Sequence, residues 1–362
     1  MPSVFRWSTF YLAPCNQPKE GNVAGIIGYG VYIPRYRIEQ KEPAMAWGSW
    51  SGGEKAVSGA DEDVVTMAAE AMDNAINHAS IEPAEIGAIH MGTTSSPYVE
   101  QYVAPILAET LGLNPETTMM DYSGSLNSLA NALLGCLDAI AARRIKCGIV
   151  IGAEDRATAP GAEGDATFGA GAIAMVVGTT GTIADFEGLH THSTLFIDRW
   201  RAIKDSWVSN WNDYRFDREY GYQSHVAEAC KGLMAKLNKK GEDFTHVVFP
   251  QPDDRIPSLP AKDLGIERER LAPAISSTLG DLGSCSAFVS LAGVLDKAKP
   301  GETILLASYG SGASNAIGLV VRNQITSKRK RGVPLQRYVD RKQYITYTSY
   351  MRTREHVKRA PY

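Results

Sequence analysis

Apolar and polar positions follow two rhythms between residues 23 and 323. Short, nearly continuous apolar runs at 25–29, 88–92, 148–152, 172–177, 246–249, 304–308 and 316–321 predict buried strands. Longer stretches with apolar residues three and four apart, at 63–79, 103–111, 128–143, 223–237 and 288–297, predict amphipathic helices. The succession of the two types predicts a layered α/β fold. The stretch carrying His190 and His192 fits neither rhythm and reads as a loop, where a solvated or structural histidine is expected.

The pattern also repeats. The run Ala88-Ile-His-Met-Gly92 is echoed by His246-Val-Val-Phe-Pro250, and Leu134-Gly-Cys-Leu-Asp138 by Ala292-Gly-Val-Leu-Asp296, both at an offset of 158. Gly148-Ile-Val-Ile-Gly152 is echoed by Ile304-Leu-Leu-Ala-Ser308 at 156. Three elements in one order at a near-constant offset predict two similar halves, 23–180 and 181–325, with a site where they meet. An N-terminal extension, 1–22, precedes them and a C-terminal segment, 326–362, follows.

Composition narrows the class. The chain has 362 residues, 44% hydrophobic and 21% charged, with net charge −3. This is globular composition. Five scattered cysteines (Cys15, Cys136, Cys147, Cys230, Cys285) with no C-x-x-C pair give neither a disulfide framework nor a zinc site. No apolar run reaches the ~18 residues of a membrane helix, and residues 1–20 lack an apolar signal core. The expectation is a reduced, cytoplasmic protein without a metal.

Charge is unevenly spread. From Thr326 onward there are eleven Lys/Arg against Asp340 and Glu355, a net +9 that leaves about −12 on the rest. Five tyrosines (Tyr338, Tyr344, Tyr347, Tyr350, Tyr362) interleave with those cations. A solvated tail, an arm gripping an acidic partner and a nucleic-acid contact are all open readings. The acidic body argues against nucleic acid.

Candidate chemistry lies in loops after strands: 92–97, 121–125, 250–254 and 309–314. Asp121-Tyr-Ser-Gly-Ser125 leads into an apolar helix, whose N-terminus can stabilise a thiolate or oxyanion. Ser123 and Ser125 are the nucleophile candidates there, against the commoner capping role. Cys136 reads as core. Cys285, in the second-half counterpart of that turn, is a further candidate, against a buried structural thiol.

Several segments together carry a resemblance: 25–38 (GIIGYGVYIPRYRI), 54–63 (EKAVSGADED), Gly152-Ala-Glu-Asp155, Ala159-Pro-Gly161, Ser308-Tyr-Gly-Ser-Gly-Ala313 and 341–352 (RKQYITYTSYMR). From about Val23 to the C-terminus the chain resembles the archaeal-type 3-hydroxy-3-methylglutaryl-CoA synthases of the thiolase superfamily. The resemblance implies a duplicated thiolase fold of five layers, α-β-α-β-α, in a dimer, here with a basic C-terminal extension. It implies a cysteine that takes an acetyl group from acetyl-CoA, a glutamate acid/base and a histidine that polarises the second acyl-CoA. Set against the family's motifs, Thr94 stands at the glutamate, Gly124 at the cysteine and Pro250 at the histidine. Asp281 falls at a family asparagine, and Arg255 at a basic position near the CoA phosphates. Glycine and proline bring no reactive group, and threonine shuttles no proton near neutral pH. The resemblance therefore implies a member lacking the three reactive groups, with no covalent cofactor. Such a chain would work as a silent subunit beside a thiolase-like catalytic protein and a small zinc-ribbon/OB-fold protein, with coenzyme A thioester as a candidate ligand. Its basic segment would be a docking arm. The alternative is an autonomous acyl-CoA condensing or acyltransferase enzyme rewired through Ser123, Ser125 or Cys285. The aromatic-rich stretch 195–222 resembles the family's substrate-covering region.

Overall fold

The computed structural model describes residues 23–48 and 52–356. The N-terminal extension, with Cys15, and Lys358, Arg359 and Tyr362 of the basic segment lie outside the described residues. Fourteen strands follow in chain order among them. They are β1 (Gly25–Tyr32), β2 (Tyr36–Glu39), β3 (Glu54–Val57), β4 (Ala88–Gly92), β5 (Thr118–Tyr122), β6 (Cys147–Asp155), β7 (Ala170–Gly178), β8 (Ala184–Ser193), β9 (Arg199–Trp200), β10 (Ser209–Asn210), β11 (His246–Val248), β12 (Thr303–Ala307), β13 (Ala313–Val321) and β14 (Gln343–Tyr344).

Nine of these form one sheet in the order β11-β12-β13-β8-β1-β7-β6-β4-β5. The repeat seen in the sequence is visible in its pairing. In the first half β1 pairs antiparallel with β7, β7 antiparallel with β6, and β6 parallel with β4. In the second half β8, β13, β12 and β11 repeat that order and those senses. The halves join where β1 runs antiparallel to β8, through Gly25–Asp185 and Ile26–Ala184. The helices Ser128–Ala141 and Ser286–Leu295 begin 158 residues apart, the offset of the sequence repeat.

The layers follow from side-chain alternation. Along β6, Val150 points into the central core while Ile149 and Ile151 pack toward the helix Val64–Ala79. Along β12, Ile304 and Leu306 point to the centre while Leu305 and Ala307 pack toward the helix Ser224–Leu237. The helices Ser128–Ala141 and Ser286–Leu295 fill the centre, the latter with nine of its ten residues buried. The order is helix, half-sheet, helix pair, half-sheet, helix, which is the five-layer arrangement that the resemblance implies.

Two expectations are corrected. His190 and His192 lie on β8, not in a loop: β8 pairs with β13 along its length, with His190 opposite Ala316. A strand half-covered on both faces carries polar residues and does not show an apolar run. The basic segment is also not a solvated tail. Its described part folds as the helix Leu335–Asp340, the strand β14 and the helix Tyr347–Thr353, and β14 pairs with β2. Tyr338, Tyr350 and Met351 are buried. Lys328 Nζ donates to the carbonyls of Ile27 (3.1 Å) and Gly181 (2.8 Å). Lys342 pairs with Glu54 (2.8 Å) and Arg354 with Asp155 (2.5 Å). The Arg341 guanidinium lies 4.4 Å from the Tyr338 ring centroid. Much of the charge that a docking arm would offer is spent inside the chain.

Candidate functional site

Ends of strands and starts of central helices from both halves converge at one place. A Cβ on Gly92, at the end of β4, would lie 2.5 Å from Leu129 Cα, so the Ser128–Ala141 helix sits directly on the strand end. A Cβ on Gly310 would lie 2.5 Å from Asn127 N, so the loop after β12 closes on the turn before the same helix. The Ser308 hydroxyl donates to Asn127 Oδ1. Asn315 Nδ2 donates to Asn131 Oδ1 (3.1 Å), and Asn127 Nδ2 to the same oxygen (3.3 Å).

Thr94 lies in the loop after β4. Its side chain turns to Glu154, near the end of β6, a residue with no solvent exposure. Glu154 Oε1 accepts from the Thr94 N–H (3.0 Å) and from the Ser284 hydroxyl. Glu154 Oε2 accepts from Thr94 Oγ1 (2.8 Å) and from Ser95 Oγ (2.7 Å). Thr93 Oγ1 adds a bond to the carbonyl of Ala153 (2.6 Å), and the Asp155 N–H donates to Ser95 Oγ (3.1 Å). Motif reasoning gives Glu154 no role. A signal is nonetheless present in the sequence: an acid closing a strand that is otherwise buried must find donors.

Gly124 sits in the exposed turn after β5, with φ +83, and among the described residues no heavy atom lies within 4 Å of the point a Cβ would occupy. Ser123 is exposed too. Ser125 Oγ accepts from the Asn127 N–H (3.1 Å), which is a turn-forming role. Asp121 spends both carboxylate oxygens on the N–H groups of Val103 (2.6 Å) and Ala104 (3.0 Å), holding the start of the Ala104–Thr110 helix.

Pro250 is buried, and its carbonyl accepts from the Tyr222 hydroxyl (2.8 Å). The next residue binds this loop to the second central helix: the Gln251 N–H donates to Ser286 Oγ (2.9 Å) and Gln251 Oε1 accepts from the Ile275 N–H (2.7 Å). Cys285 precedes that helix with no exposure, and burial, reinforced by the Glu154 charge, pushes its thiol well above the ordinary range. Cys136 and Cys147 are pushed up to about 12 by burial. Asp281 pairs with buried Arg156 at 2.5 Å, and the Arg156 guanidinium carbon lies 3.7 Å from the Phe168 ring centroid.

Arg255 lines a cavity of about 560 Å³ together with Tyr214, Arg218, Pro252 and Ser276. The acids beside it are engaged by the chain. Asp253 Oδ1 accepts from the N–H groups of Arg255 (2.6 Å) and Ile256 (2.9 Å), and Asp253 Oδ2 from the Tyr214 hydroxyl (2.7 Å). Asp254 accepts from Ser276 and Ser277. The structure thus joins Thr94 to Ser284 through Glu154, seats Pro250 beside the Ser286 helix, and leaves Gly124 in open space.

Comparison with known proteins agrees with this architecture. Residues 51–186 match the thiolase N-terminal domain, and residues 234–322 match the 3-oxoacyl-(acyl-carrier-protein) synthase III C terminal. The chain is 36% identical over 344 residues to the hydroxymethylglutaryl-CoA synthase of Methanopyrus kandleri, covering 92% of this chain and 98% of that one. It is 37% identical to that of Pyrococcus furiosus, covering 91% and 95%. Among solved structures it is similar to MvaS in complex with 3-hydroxy-3-methylglutaryl coenzyme A (TM-score 0.82, 18% identity, 93% and 92% covered). It is also similar to the curacin-pathway HMG synthase in complex with acetyl donor-ACP (TM-score 0.75, 18% identity, 91% and 88% covered). At those identities the structures speak to fold alone.

Proposed function

The chain belongs to the hydroxymethylglutaryl-CoA synthase family of thiolase-type condensing enzymes, and on that premise we propose that it is a non-catalytic subunit of an acyl-CoA condensing or acyltransferase assembly. One feature of the sequence carries the reading: the resemblance sets Thr94, Gly124 and Pro250 at the three positions where the family's motifs place base, nucleophile and electrophile. Gly124 offers no atom to hold an acyl group. The Thr94 hydroxyl is committed to Glu154. Pro250 has no ionisable side chain and no N–H to donate, and its carbonyl accepts from the Tyr222 hydroxyl. Losing one group could shift a mechanism; losing all three removes attack, deprotonation and polarisation together. A thiolase-like partner would supply the nucleophile, and a small zinc-ribbon/OB-fold protein would complete the assembly. Purified chain mixed with such a thiolase-like protein should co-elute and raise its condensing activity. Absence of both effects sinks the proposal.

Within this reading the cavity at Arg255 receives the phosphates of a coenzyme A thioester. The neighbouring carboxylates are held by the chain's own donors, and Arg255 shares the lining with a second cation, Arg218, so that the cavity wall offers positive charge to an incoming anion. Arg255→Glu should weaken coenzyme A binding about tenfold or more by titration calorimetry, the loss of one charge-assisted contact. Unchanged affinity would reject Arg255 as the contact.

A second reading, an autonomous condensing or acyl-transferring enzyme, has the Glu154–Ser284 pair in its favour, since a carboxylate on a hydroxyl can serve as base for a nucleophile. Intact-mass spectrometry of the isolated chain after incubation with acyl-CoAs separates the two readings. A covalent acyl adduct favours the enzyme.

A further inference from the structure

We propose that Glu154 is a latch: a carboxylate that fastens the loop after β4 to the second half and holds Thr94 and Ser95 in one fixed arrangement. This deepens the non-catalytic reading of the same site. An ionised carboxylate offers about four acceptor positions. The chain fills them evenly, two on each oxygen, with donors from Thr94, Ser95 and Ser284. Three of the four donors are hydroxyls, which must all point their protons inward to satisfy a single group. The residue has no exposure, so water adds nothing to this arrangement.

The latch joins both halves. Thr94 and Ser95 follow β4 and Glu154 ends β6, neighbouring strands of the first half. Ser284 precedes the central helix of the second half. A Cβ on Gly283 would lie 3.0 Å from Arg156 Nε and 3.2 Å from Glu154 Cγ, so only a residue without a side chain fits between acid and guanidinium at φ +58. The charge of Glu154 is thus buried beside a cation that is itself held by Asp281. Thr94 acquires a purpose that the family's motif does not suggest. Its hydroxyl and amide grip the carboxylate.

A double-mutant cycle in the full chain tests the latch. Glu154→Gln, Thr94→Val and Ser284→Ala should each lower the melting temperature by about 2–4 °C, the usual scale for a buried charge-assisted bond in a chain of this size. Combining Thr94→Val with Glu154→Gln should cost much less than the two losses added, because both remove the same contact. If Glu154→Gln is insoluble, Glu154→Asp, which withdraws the carboxylate from the same donors, takes its place in the cycle with Thr94→Val and must show the same shortfall. Shifts under about 1 °C, or strictly additive losses, overturn the latch. So does an acyl adduct on Ser284 after incubation with acetyl-CoA, which would make the pair a nucleophile and its base. Condensing activity of the isolated chain that survives all three substitutions would instead end the non-catalytic reading and leave the latch standing.

Discussion

Gly124 is the residue on which the proposed loss of chemistry turns. Its positive φ places it in a region that costs an ordinary side chain about 1–2 kcal/mol, yet the space a side chain would enter is empty. Gly124→Cys should therefore fold, with a melting temperature lowered by about 1–3 °C. Its thiol should react with iodoacetamide, while Cys136, Cys147, Cys230 and Cys285, all buried, stay unlabelled in the folded chain. Peptide mapping reads the result, and a protected thiol at 124 would contradict the open turn. Lys55 makes the opposite case. It is fully buried, with Nζ donating to the Asp165 carbonyl (2.6 Å) and the Tyr350 hydroxyl (3.3 Å). Burial pulls its ammonium down to about 7; the Asp165 and Asp155 charges oppose that pull and Arg354 adds to it. Between about 7 and the ordinary lysine value near 10.4, the folded state holds fewer protons than the unfolded state. Stability from this group therefore rises with pH across that window, and the penalty is full below 7. The melting temperature of Lys55→Met relative to the natural chain should be highest at pH 6–7 and fall as pH climbs to 9. A difference independent of pH would show that Lys55 titrates normally.

At the scale of elements, the basic segment is a strap. It contributes β14 to the small sheet with β2 and β3, and buries Tyr338, Tyr350 and Met351 against the body. Arg354 fastens its end, donating to the Arg156 carbonyl (3.0 Å) and pairing with half-buried Asp155 (2.5 Å). Arg354→Ala leaves Asp155 short of a partner and should cost about 2–4 kcal/mol, on the order of 3–5 °C in melting temperature. A shift under 1 °C would mean that the strap holds through its apolar contacts alone. The strap also marks what a single sequence reveals. Strands such as β6 and β12, buried on both faces, show as apolar runs and are legible. β8 carries Glu187, His190 and His192 on half-covered faces and reads as a loop. β5 is a half-exposed edge strand and β14 has two residues, so neither builds a pattern. In the proposed site, Thr94, Gly124 and Pro250 come from the resemblance alone, which reads residues in chain order. The Thr94–Glu154 contact is not legible that way, since it spans 60 residues and exists only because β4 and β6 lie side by side.

The whole molecule inherits a constraint from its duplication. Two similar halves suggest two folding units, but the halves share one interior. The central cluster takes Tyr29, Leu133 and Val150 from the first half and Phe288, Leu306 and Ile317 from the second. The Tyr29 hydroxyl donates to Asp296 at 2.6 Å, and β1 pairs directly with β8. Split at residue 180, each half would expose the inner face of its sheet and one wall of a central helix that is otherwise buried on nearly all sides. A contiguous apolar surface of that kind favours reassociation or aggregation over independent folding. The strap adds to this, because it starts in the second half and ends against β2, β3 and Asp155 in the first. The full chain should therefore unfold in one calorimetric transition, with calorimetric and van't Hoff enthalpies in agreement. Residues 23–180 expressed alone should be insoluble or molten. Two resolved transitions, or a soluble first half with dispersed amide resonances, would show that the shared core is a docking surface between independent units and not the common interior that the packing describes.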